Sequence, residues 1–558
     1  MTATAGPTTM CEAFRATVAR MPEAIALRTV GGGTTLTWSQ YAARVRELAA
    51  GLAALGVGRG DPVALLLTNR PEFHLLDTAA QHLGAVPFSC YNTSSPEQIG
   101  YLLAASGARV AVTERRLAGV LGGRAAGTLR HVVVIDGPPG SLTLDALTEA
   151  GDPEFDLESA AGAVTPEDLL TLVYTSGTTG PPKGVEITHA NMLAMVASTA
   201  PALGLREGDR LISFLPSAHI ADRWASLYLH SWAGTEVTTL ADPREILVAL
   251  LDVRPTLFGG VPQVWQRLVT GVNRMVAARP ELQPAIQAGL DHFRAGRSGA
   301  APAADRALSG IRAHLGLDQV RLAITAAAPA PAAVVEFVNA LGIPLSEAWG
   351  MSELSGMATM NPPGAIRPGT VGLPLPGVET RLDADGELLV RGPMVMRGYR
   401  DRPEETKAAL DADGWLHTGD IATVDADGYL SIVDRKKELL ITSGGENVAP
   451  ALVELAIKTH CPLVAQAVVV GEARPHLVAL LVLDPEAAVD PGDARELIAA
   501  GIEAANATLS RAERIRAFAI VTDPWPPGGD LLTATLKVRR RPVLHRYADD
   551  IETLYAEH

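Results

Sequence analysis

Short apolar runs alternate with amphipathic segments along the first third of the chain. The run PVALLLTN (62–69) precedes the helical pattern PEFHLLDTAAQHLGA (71–85), and ARVAVTE (108–114) and HVVVID (131–136) are further runs of strand length. Continuous apolar strands that alternate with helices predict an α/β fold whose largely parallel strands are buried on both faces. LLTLVYTSG (169–177) predicts another buried strand, so the residues after it leave a strand end, where ligands of α/β sheets collect.

The pattern changes twice further along the chain. Residues 270–316 are rich in alanine and arginine and predict helices, interrupted by a Gly/Ala/Pro stretch at 296–304. After residue 370, short apolar runs and frequent turns predict β structure, and DADGYLSI (425–432) is typical of a turn that leads into a strand. A βαβ-like pattern follows DRKKE (434–438) and runs to the last residue.

Length, charge and cysteine content limit the class of protein. A chain of 558 residues is too long for one hydrophobic core, so two or more domains are expected. The net charge of −15 argues against nonspecific nucleic-acid binding. Cys11, Cys90 and Cys461 are too scattered for a disulfide framework or a thiolate metal site, which suits a reducing cytoplasm. We also expect no secretory signal and no membrane span, because no apolar run approaches about 18–20 residues.

The segment YTSGTTGPPKGV (174–185) combines glycines and hydroxyl side chains with one lysine. It nearly matches the Walker A pattern, but Pro182 stands in place of the second glycine and Gly184 in place of the magnesium-binding hydroxyl. Because proline has no N–H to donate, the donors must come from the residues before the two prolines. The segment therefore predicts an anion cradle that differs from the P-loop of NTPases.

Two further segments offer a carboxylate beside small or aromatic residues. SEAWGMSELSG (346–356) contains an aromatic ring that can stack on a base and Glu353, which can bind Mg²⁺; the alternative is a helix start capped by Ser352. In GWLHTGDIA (414–422), Asp420 either accepts hydrogen bonds from two ribose hydroxyls or is a simple turn aspartate. The residues alone leave both pairs of alternatives open.

Two basic segments lie closer to the C-terminus. VDRKKELLITSGGENVAP (433–450) places three basic residues before a Ser-Gly-Gly loop, which indicates either a charged linker between domains or a solvated face. LLTATLKVRRRP (531–542) places Lys537 and three arginines in an acidic protein. That lysine is either delivered to a phosphate or part of a solvated strand edge.

Together and in this order, these segments resemble the acyl-CoA synthetases of the adenylate-forming (AMP-binding) superfamily, and specifically the long-chain fatty acid–CoA ligase branch. YTSGTTGPPKGV is the signature loop of that superfamily, and AWGMSE, GWLHTGD, DRKKELLITSGGENVAP and the terminal lysine segment complete the set over essentially the whole chain. LPSAHIADR (215–223), GGVPQVWQRL (259–268) and LTATLKVRR resemble the long-chain branch, in which Leu536 stands where many other members have glycine.

The resemblance implies an α/β multidomain fold with two units. A large N-terminal domain, residues 1–434, would contain two parallel-sheet α/β subdomains plus a β-rich subdomain. A small, mobile α+β C-terminal domain would comprise residues 435–558, with the active site between the two.

The resemblance also implies a reaction in two steps that uses ATP, Mg²⁺ and CoA. A fatty acid carboxylate attacks the α-phosphate of ATP, which gives acyl-adenylate and pyrophosphate, and the thiol of CoA then gives the thioester and AMP. Lys537 would neutralise charge in the first step, and Lys437 would be the hinge about which the C-terminal domain swings before the second. Thr178 and Glu353 would complete the catalytic set and bind the metal.

The implied ligand contacts follow the family motifs residue by residue. The nucleotide contacts are Thr175, Ser176, Gly177, Thr178, Thr179, Gly180, Lys183, Ala327, Ala328, Trp349, Gly350, Met351, Ser352, Asp420, Ile432, Arg435 and Lys537. The CoA contacts are Ser443, Gly444, Gly445 and Glu446, and the acyl-pocket residues are His219, Gly260 and Val261. His219 is open to a second interpretation, as a packed and hydrogen-bonded core residue.

Acceptor, acid and partners remain open at this level. An acyl-AMP ligase that loads a carrier protein shares every adenylation motif, and a smaller or aromatic acid is another alternative. A catalytically inactive nucleotide-binding regulatory protein belongs to a different class, and the full set of charged residues argues against it. The expected partners are a carboxylic acid, ATP and CoA, without nucleic acid. A homodimer and peripheral membrane contact stay as alternatives for a cytoplasmic protein.

Overall fold

The computed structural model describes residues 6–121, 127–175, 181–484, 491–533 and 537–556. The apolar runs of the first 140 residues form one sheet in which every neighbouring pair is parallel. Its strands, in order across the sheet, are Val86–Ser89, Pro62–Leu66, Val110–Thr113 and His131–Val134. They are largely buried, as the continuous apolar pattern predicts.

Two further sheets contain parallel pairs. One has the order Thr35–Thr37, Ile25–Thr29, Glu236–Thr239 and Arg210–Ser213. The other has the order Leu257–Gly260, Leu322–Thr325, Leu345–Met351, Gly356–Met360 and Leu373–Pro374, and its first three strands are parallel. The candidate segment AWGMSE therefore leaves the carboxyl end of a parallel strand.

Local sequence signals set the limits of several helices. Thr37 and Ser95 each form a capping box with the glutamine three residues on, which binds two otherwise unpaired backbone donors. Gly107 ends a helix in the left-handed conformation that only glycine adopts without strain. The helices before the β-rich region are Met10–Arg20, Trp38–Ala54, Pro71–His82, Pro96–Ser106, Leu144–Glu149, Leu157–Gly162, His189–Ala202, Ile220–Asp222, His230–Ala233, Ile246–Val253, Pro262–Ala278, Gln283–Arg294, Asp305–His314 and Ala332–Ala340, and Arg223–Leu229 is a π-helix.

The buried strand that carries the signature segment is present, but its neighbours differ from the expected parallel arrangement. Leu169–Thr175 pairs antiparallel with Lys183–Thr188, which pairs antiparallel with Gly398–Tyr399. Thr175 lies directly opposite Lys183, so the glycine-rich segment joins the two strands of a hairpin. An apolar run indicates burial, but it does not identify the strand's partner. Here the partner is the next strand along the chain, Lys183–Thr188, whose own second partner, Gly398–Tyr399, is distant in sequence.

The expected β-rich region is an antiparallel sheet with the order Glu379–Leu382, Glu387–Arg391, Leu416–Val424 and Leu430–Arg435. Helix Pro403–Ala409 lies between its second and third strands. The buried residues Leu388, Val390 and Leu430 of the β-rich sheet belong to the same hydrophobic cluster as residues of the parallel sheets. The β-rich sheet is therefore packed on the N-terminal core.

The last part of the chain has hydrophobic clusters of its own. Strands Val464–Val470, Leu477–Leu483 and Ile515–Val521 form a sheet whose second and third strands are parallel and joined through helix Pro491–Thr508, which confirms the predicted βαβ unit. Alternate residues face two different clusters: Val469 and Ala479 contribute to one, Val468 and Val478 to the other. Strands Leu440–Ile441 and Asn447–Val448 and helices Pro450–His460, Arg540–Arg546 and Ala548–Ala556 complete this region.

The predicted fold class, an α/β multidomain protein with a larger N-terminal part and a smaller C-terminal part, is confirmed. Each of the three cysteines is a free, buried thiol, so the absence of disulfides expected from their spacing holds for them. None of the helices in the described ranges combines the length and apolar character that crossing a bilayer requires.

Candidate active site

Three predicted nucleotide contacts meet at the end of the β-rich sheet. Asp420 and Arg435 are paired across adjacent strands, and the Arg435 Nε lies 2.6 Å from Asp420 Oδ1. The indole Nε1–H of Trp349 donates to the other carboxylate oxygen of Asp420 at 2.8 Å. Asp420 is only 3% exposed. Burial raises its pKa, and the nearby Arg435 guanidinium and the Trp349 hydrogen bond oppose that rise.

Lys537 reaches the same place from the C-terminal region. Its pKa is lowered by burial and by Arg435, while the carboxylates of Asp420, Glu438 and Glu353 act in the opposite direction. Lys537 is an exposed residue, and these charges act on its side chain from a distance. Arg435, Asp420 and Glu353, which belong to other segments of the chain, are thus within electrostatic range of Lys537.

Glu353 and Lys183 are linked through a residue that the sequence reasoning missed. The hydroxyl of Tyr399 donates to Glu353 Oε1 at 2.8 Å, and Lys183 Nζ lies 4.7 Å from the centroid of the Tyr399 ring. Tyr399 occupies this position because Gly398–Tyr399 pairs with the strand that begins at Lys183. Burial and the neighbouring carboxylate raise the pKa of its hydroxyl, so it stays a hydrogen-bond donor.

The signature segment is described only at its two ends. Thr175 and Lys183 face each other in the hairpin, and the Tyr101 hydroxyl donates to the carbonyl of Pro182 at 3.0 Å. The predicted contacts Ser176, Gly177, Thr178, Thr179 and Gly180 lie outside the described residues. Leu536, which precedes the candidate lysine, also lies outside them.

The AWGMSE strand has a backbone that requires glycine at one position. A Cβ on Gly350 would lie 2.0 Å from the carbonyl oxygen of Gly356, so any side chain there would displace the returning strand. Met351 ends the strand, and Ser352 begins a single 3₁₀ turn through Leu354 rather than an α-helix. Of the helix-start alternative, the placement of Glu353 in a first helical turn is confirmed, whereas the cap position is occupied by Met351 and not by Ser352.

The other predicted nucleotide contacts lie on neighbouring elements. Ala327 adopts a left-handed conformation, φ +73°, directly after strand Leu322–Thr325, and Ala328 follows it. Such a conformation is uncommon for a residue with a Cβ and is often found at functional sites. Ile432 lies on the same strand as Arg435 and packs against the N-terminal core.

His219 is a hydrogen-bonded residue at a helix start, and its place in the acyl pocket stays a prediction. It precedes helix Ile220–Asp222, and its Nδ1 accepts from the Ala221 N–H at 3.2 Å. Burial, with a smaller effect of Lys537, lowers the pKa of His219 to about 4, so the ring is neutral at physiological pH. It is thus a hydrogen-bonded cap that also lies within electrostatic range of the candidate catalytic lysine.

The loop that carries His219 is held by a buried carboxylate. Asp222 accepts hydrogen bonds from the hydroxyls of Ser213, Ser217 and Ser226 and from the Asn69 amide. Gly260 is buried at a strand end, and Val261 precedes helix Pro262–Ala278. Gly259, beside them, is exposed on the outer strand of its sheet, and a Cβ there would meet no atom within 4 Å. It is a further candidate for lining an acyl site.

The predicted hinge and CoA residues are on the surface. Lys437 is exposed between strands Leu430–Arg435 and Leu440–Ile441. Residues 443–446 are an exposed turn before Asn447–Val448, in which Gly445 has a positive φ and the Ser443 N–H donates to the Arg474 carbonyl. Lys537, further along the C-terminal region, is within electrostatic range of Asp420.

No group of three or more His, Cys, Asp or Glu side chains suited to a metal ion occurs within the described ranges. A site that used Glu353 alone would depend on oxygen ligands from a substrate. Mg²⁺ commonly binds in this way, through one or two carboxylates and substrate phosphates.

Comparison with known proteins identifies the family. Residues 14–400 match the AMP-binding enzyme family and residues 437–558 match the AMP-binding enzyme C-terminal domain. A putative fatty-acid–CoA ligase, fadD11 of Mycobacterium tuberculosis, is 46% identical over 452 residues, which cover 75% of this chain and 79% of that protein. The long-chain-fatty-acid–CoA ligase FadD15 of the same species is 36% identical over 566 residues, with 94% and 93% coverage.

A solved structure shares the whole architecture. ATP-bound MatB from Rhodopseudomonas palustris superposes with a TM-score of 0.76 at 25% identity, covering 97% of this chain and 99% of that one. On the family matches and on these relatives, the chain belongs to the AMP-binding enzyme family of adenylate-forming ligases.

Proposed function

We propose that the protein is an AMP-forming fatty-acid–CoA ligase. The observation that carries the proposal is the Asp420–Arg435 ion pair with its hydrogen bond from Trp349, within electrostatic range of Lys537. The arrangement supplies cations for phosphate oxygens and a carboxylate for a ribose, and Glu353, also in electrostatic range of Lys537, is a carboxylate for a metal ion. The names of the relatives favour a fatty acid as the substrate. The domain division at 434/435 rests on the separate hydrophobic clusters beyond Leu440.

Asp420 and Trp349 are proposed to bind the nucleoside part of ATP. The Asp420 carboxylate is paired with the Arg435 guanidinium and can accept hydrogen bonds from ribose hydroxyls. The Trp349 ring can stack on adenine while its N–H fixes the carboxylate. Ala327, Ala328, Gly350, Met351, Ser352 and Ile432 complete the proposed nucleotide contacts.

Charge is the main obstacle to the first step, because a carboxylate must approach a polyanion. Lys537 is proposed to lie between the fatty acid carboxylate and the α-phosphate, and Lys183 and the hydroxyls of Thr175–Thr179 to bind the β- and γ-phosphates. Preorganised cations and donors of this kind stabilise charge as it develops in the transition state. Mg²⁺, held by Glu353 and Thr178, would neutralise phosphate charge when bound.

In the second step the C-terminal domain is proposed to rotate about Lys437. Lys537 then withdraws, and Ser443, Gly444, Gly445 and Glu446 approach to line the path of CoA. Because the rotation exchanges the residues that face the site, the two half-reactions depend on different residues.

The test measures pyrophosphate release and thioester formation with acids from butanoate to eicosanoate and with benzoates. Pyrophosphate release with long-chain acids, followed by thioester formation on CoA, is expected. Thioester formation on a holo-carrier protein but not on CoA would identify an acyl-AMP ligase, and preference for benzoates an aromatic acid ligase. If no acid released pyrophosphate, the proposal would be wrong.

A further inference from the structure

Hydrogen bonds join the described residues before and after the segment that leads to Lys537. The Thr533 N–H donates to the carbonyl of Lys537 at 2.8 Å, and the Lys537 N–H donates to Thr533 Oγ1 at 3.0 Å. The Arg539 N–H donates to the carbonyl of Leu531 at 2.8 Å. These bonds join residues 531–533 to residues 537–539. Leu531, Leu532 and Val538 pack into a hydrophobic cluster of the C-terminal region, to which the segment also has a polar attachment.

Arg540 makes that attachment. Its Nη2 lies 2.6 Å from Glu454 Oε1, and its Nη1 donates to the carbonyl of Val469 at 2.7 Å. The Val469 N–H donates to the same Glu454 oxygen at 2.9 Å. The two side chains are each only 13% exposed. Val469 belongs to the outer strand of its sheet, so this ion pair satisfies both backbone groups of a strand edge while it holds the lysine segment.

The helix that carries Glu454 is also attached to the N-terminal part. Ala451, one turn before Glu454, donates its N–H to Asp434 Oδ2 at 2.8 Å. Asp434 belongs to the strand Leu430–Arg435, which also carries Arg435. A short series of contacts thus runs from the nucleotide-site strand through the first turn of helix Pro450–His460 to the residue three positions after Lys537.

We propose that Glu454 and Arg540 are positioning residues for Lys537: their buried ion pair fixes the lysine segment on helix Pro450–His460, whose contact with Asp434 sets the segment beside Asp420. Neither residue touches a reacting atom. This inference rests on the proposed function for its kinetic test. A displacement of about 1 Å in a catalytic group can lower a rate by about 100-fold, so a loosened attachment should be visible in the adenylation step.

The kinetic test compares E454Q and R540K with D523N. Asp523 pairs with Arg546 at 3.0 Å on the same helix as Arg540, but both of those side chains are more than half exposed, so their pair should contribute little. We expect E454Q and R540K to lower kcat for ATP–pyrophosphate exchange by about 10- to 100-fold, with KM for ATP changed less than about threefold. Thioester formation from supplied acyl-adenylate should stay close to the wild-type rate, and D523N should change neither.

A buried charge left without its partner can prevent folding, so a double variant is needed. E454Q/R540M removes both charges, and its thermal unfolding midpoint should be closer to wild type than that of either single change. Its exchange rate should still be low. Wild-type exchange in the double variant, or an equal loss of both half-reactions in the single variants, would overturn the inference.

A second measurement does not depend on turnover. The pH dependence of Lys537 modification by an amine reagent, followed by mass spectrometry, reports the apparent pKa of that amine. In E454Q and R540K this pKa should move up toward the ordinary lysine value, because the amine moves away from the burial and the Arg435 charge that lower it. The pKa should not move in D523N. An unchanged pKa in both variants would contradict the proposed positioning even if no acid were activated.

Discussion

Removal of the Tyr399 hydroxyl should selectively weaken the binding of the Mg²⁺ that adenylation uses. That hydroxyl is 2.8 Å from Glu353 Oε1, and the carboxylate is only 7% exposed. A hydrogen bond to a charged group contributes about 1.5–3 kcal/mol. Loss of a partner that orients a metal ligand commonly lowers metal affinity or activity by about 10- to 100-fold. Y399F should therefore raise the Mg²⁺ concentration for half-maximal exchange by about 10-fold.

The assay is ATP–pyrophosphate exchange at saturating acid, with Mg²⁺ varied at constant free ATP. Y399F keeps the ring over which Lys183 Nζ lies, so only the bond to Glu353 is lost. Y399L removes the cation–π contact as well, which is worth about 0.5–2 kcal/mol, and should lower kcat further. The difference between the two variants separates the effect on Glu353 from the effect on Lys183.

Tyr429 provides a matched control. Its hydroxyl also donates at 2.8 Å, to the carbonyl of Ala365, and its ring lies 4.0 Å from the Arg367 guanidinium carbon. Y429F removes a similar hydroxyl from a similar setting away from Glu353, so its Mg²⁺ dependence should match wild type. If Y399F and Y429F had the same Mg²⁺ dependence, Tyr399 would not orient a metal ligand.

Three further predictions concern the same site and the N-terminal core. K537A should abolish ATP–pyrophosphate exchange but leave thioester formation from supplied acyl-adenylate largely intact; equal loss of both would exclude a lysine that serves one step. W349F should raise KM for ATP by about 10-fold, measured by initial rates. An aromatic ring remains for stacking, but the buried Asp420 carboxylate loses the hydrogen bond from the indole N–H. An unchanged KM for ATP would exclude Asp420 as a ribose contact. Burial lowers the pKa of His74 to about 3, so the folded state binds fewer protons than the unfolded chain below about pH 6.5 and the free energy of unfolding falls as pH decreases. Both ring nitrogens of His74 are buried without a hydrogen-bond partner among the described residues. H74L should therefore raise the thermal unfolding midpoint and reduce the fall of that midpoint between pH 7 and 5. The same pH dependence of the midpoint in wild type and H74L would contradict this.

Local pattern predicted the elements, because burial on both faces of a strand and one face of a helix leaves a periodic signal in sequence. Pro62–Leu66 and His131–Val134 both lie in the apolar runs of strand length that predict buried strands. The partner of a strand has no such signal. The pattern predicts parallel neighbours for the strand Leu169–Thr175. Its partner is instead the antiparallel strand Lys183–Thr188, the next strand along the chain.

The site shows the same limit. Trp349 and Asp420 were each predicted to touch the nucleotide, yet their hydrogen bond to each other was not visible, because it joins residues 71 positions apart. Tyr399 lies in a short strand with no motif of its own, and only its pairing with the strand of Lys183 brings it to Glu353. Contacts between distant segments follow from tertiary packing rather than from local sequence.

On the proposed mechanism, substrate charge controls the domain motion through Lys537. In the absence of nucleotide the docked lysine is opposed by burial and by Arg435, so its protonated form is disfavoured there relative to water. Phosphate groups of a bound nucleotide add negative charge at that place and favour both protonation and docking. Coupling of this kind is reciprocal, so docking must in turn strengthen nucleotide binding. When pyrophosphate leaves, much of that negative charge leaves with it. Burial and the Arg435 charge then again disfavour the protonated amine of Lys537 at this place. The electrostatics that assist the first step thus also favour withdrawal of the lysine before the second.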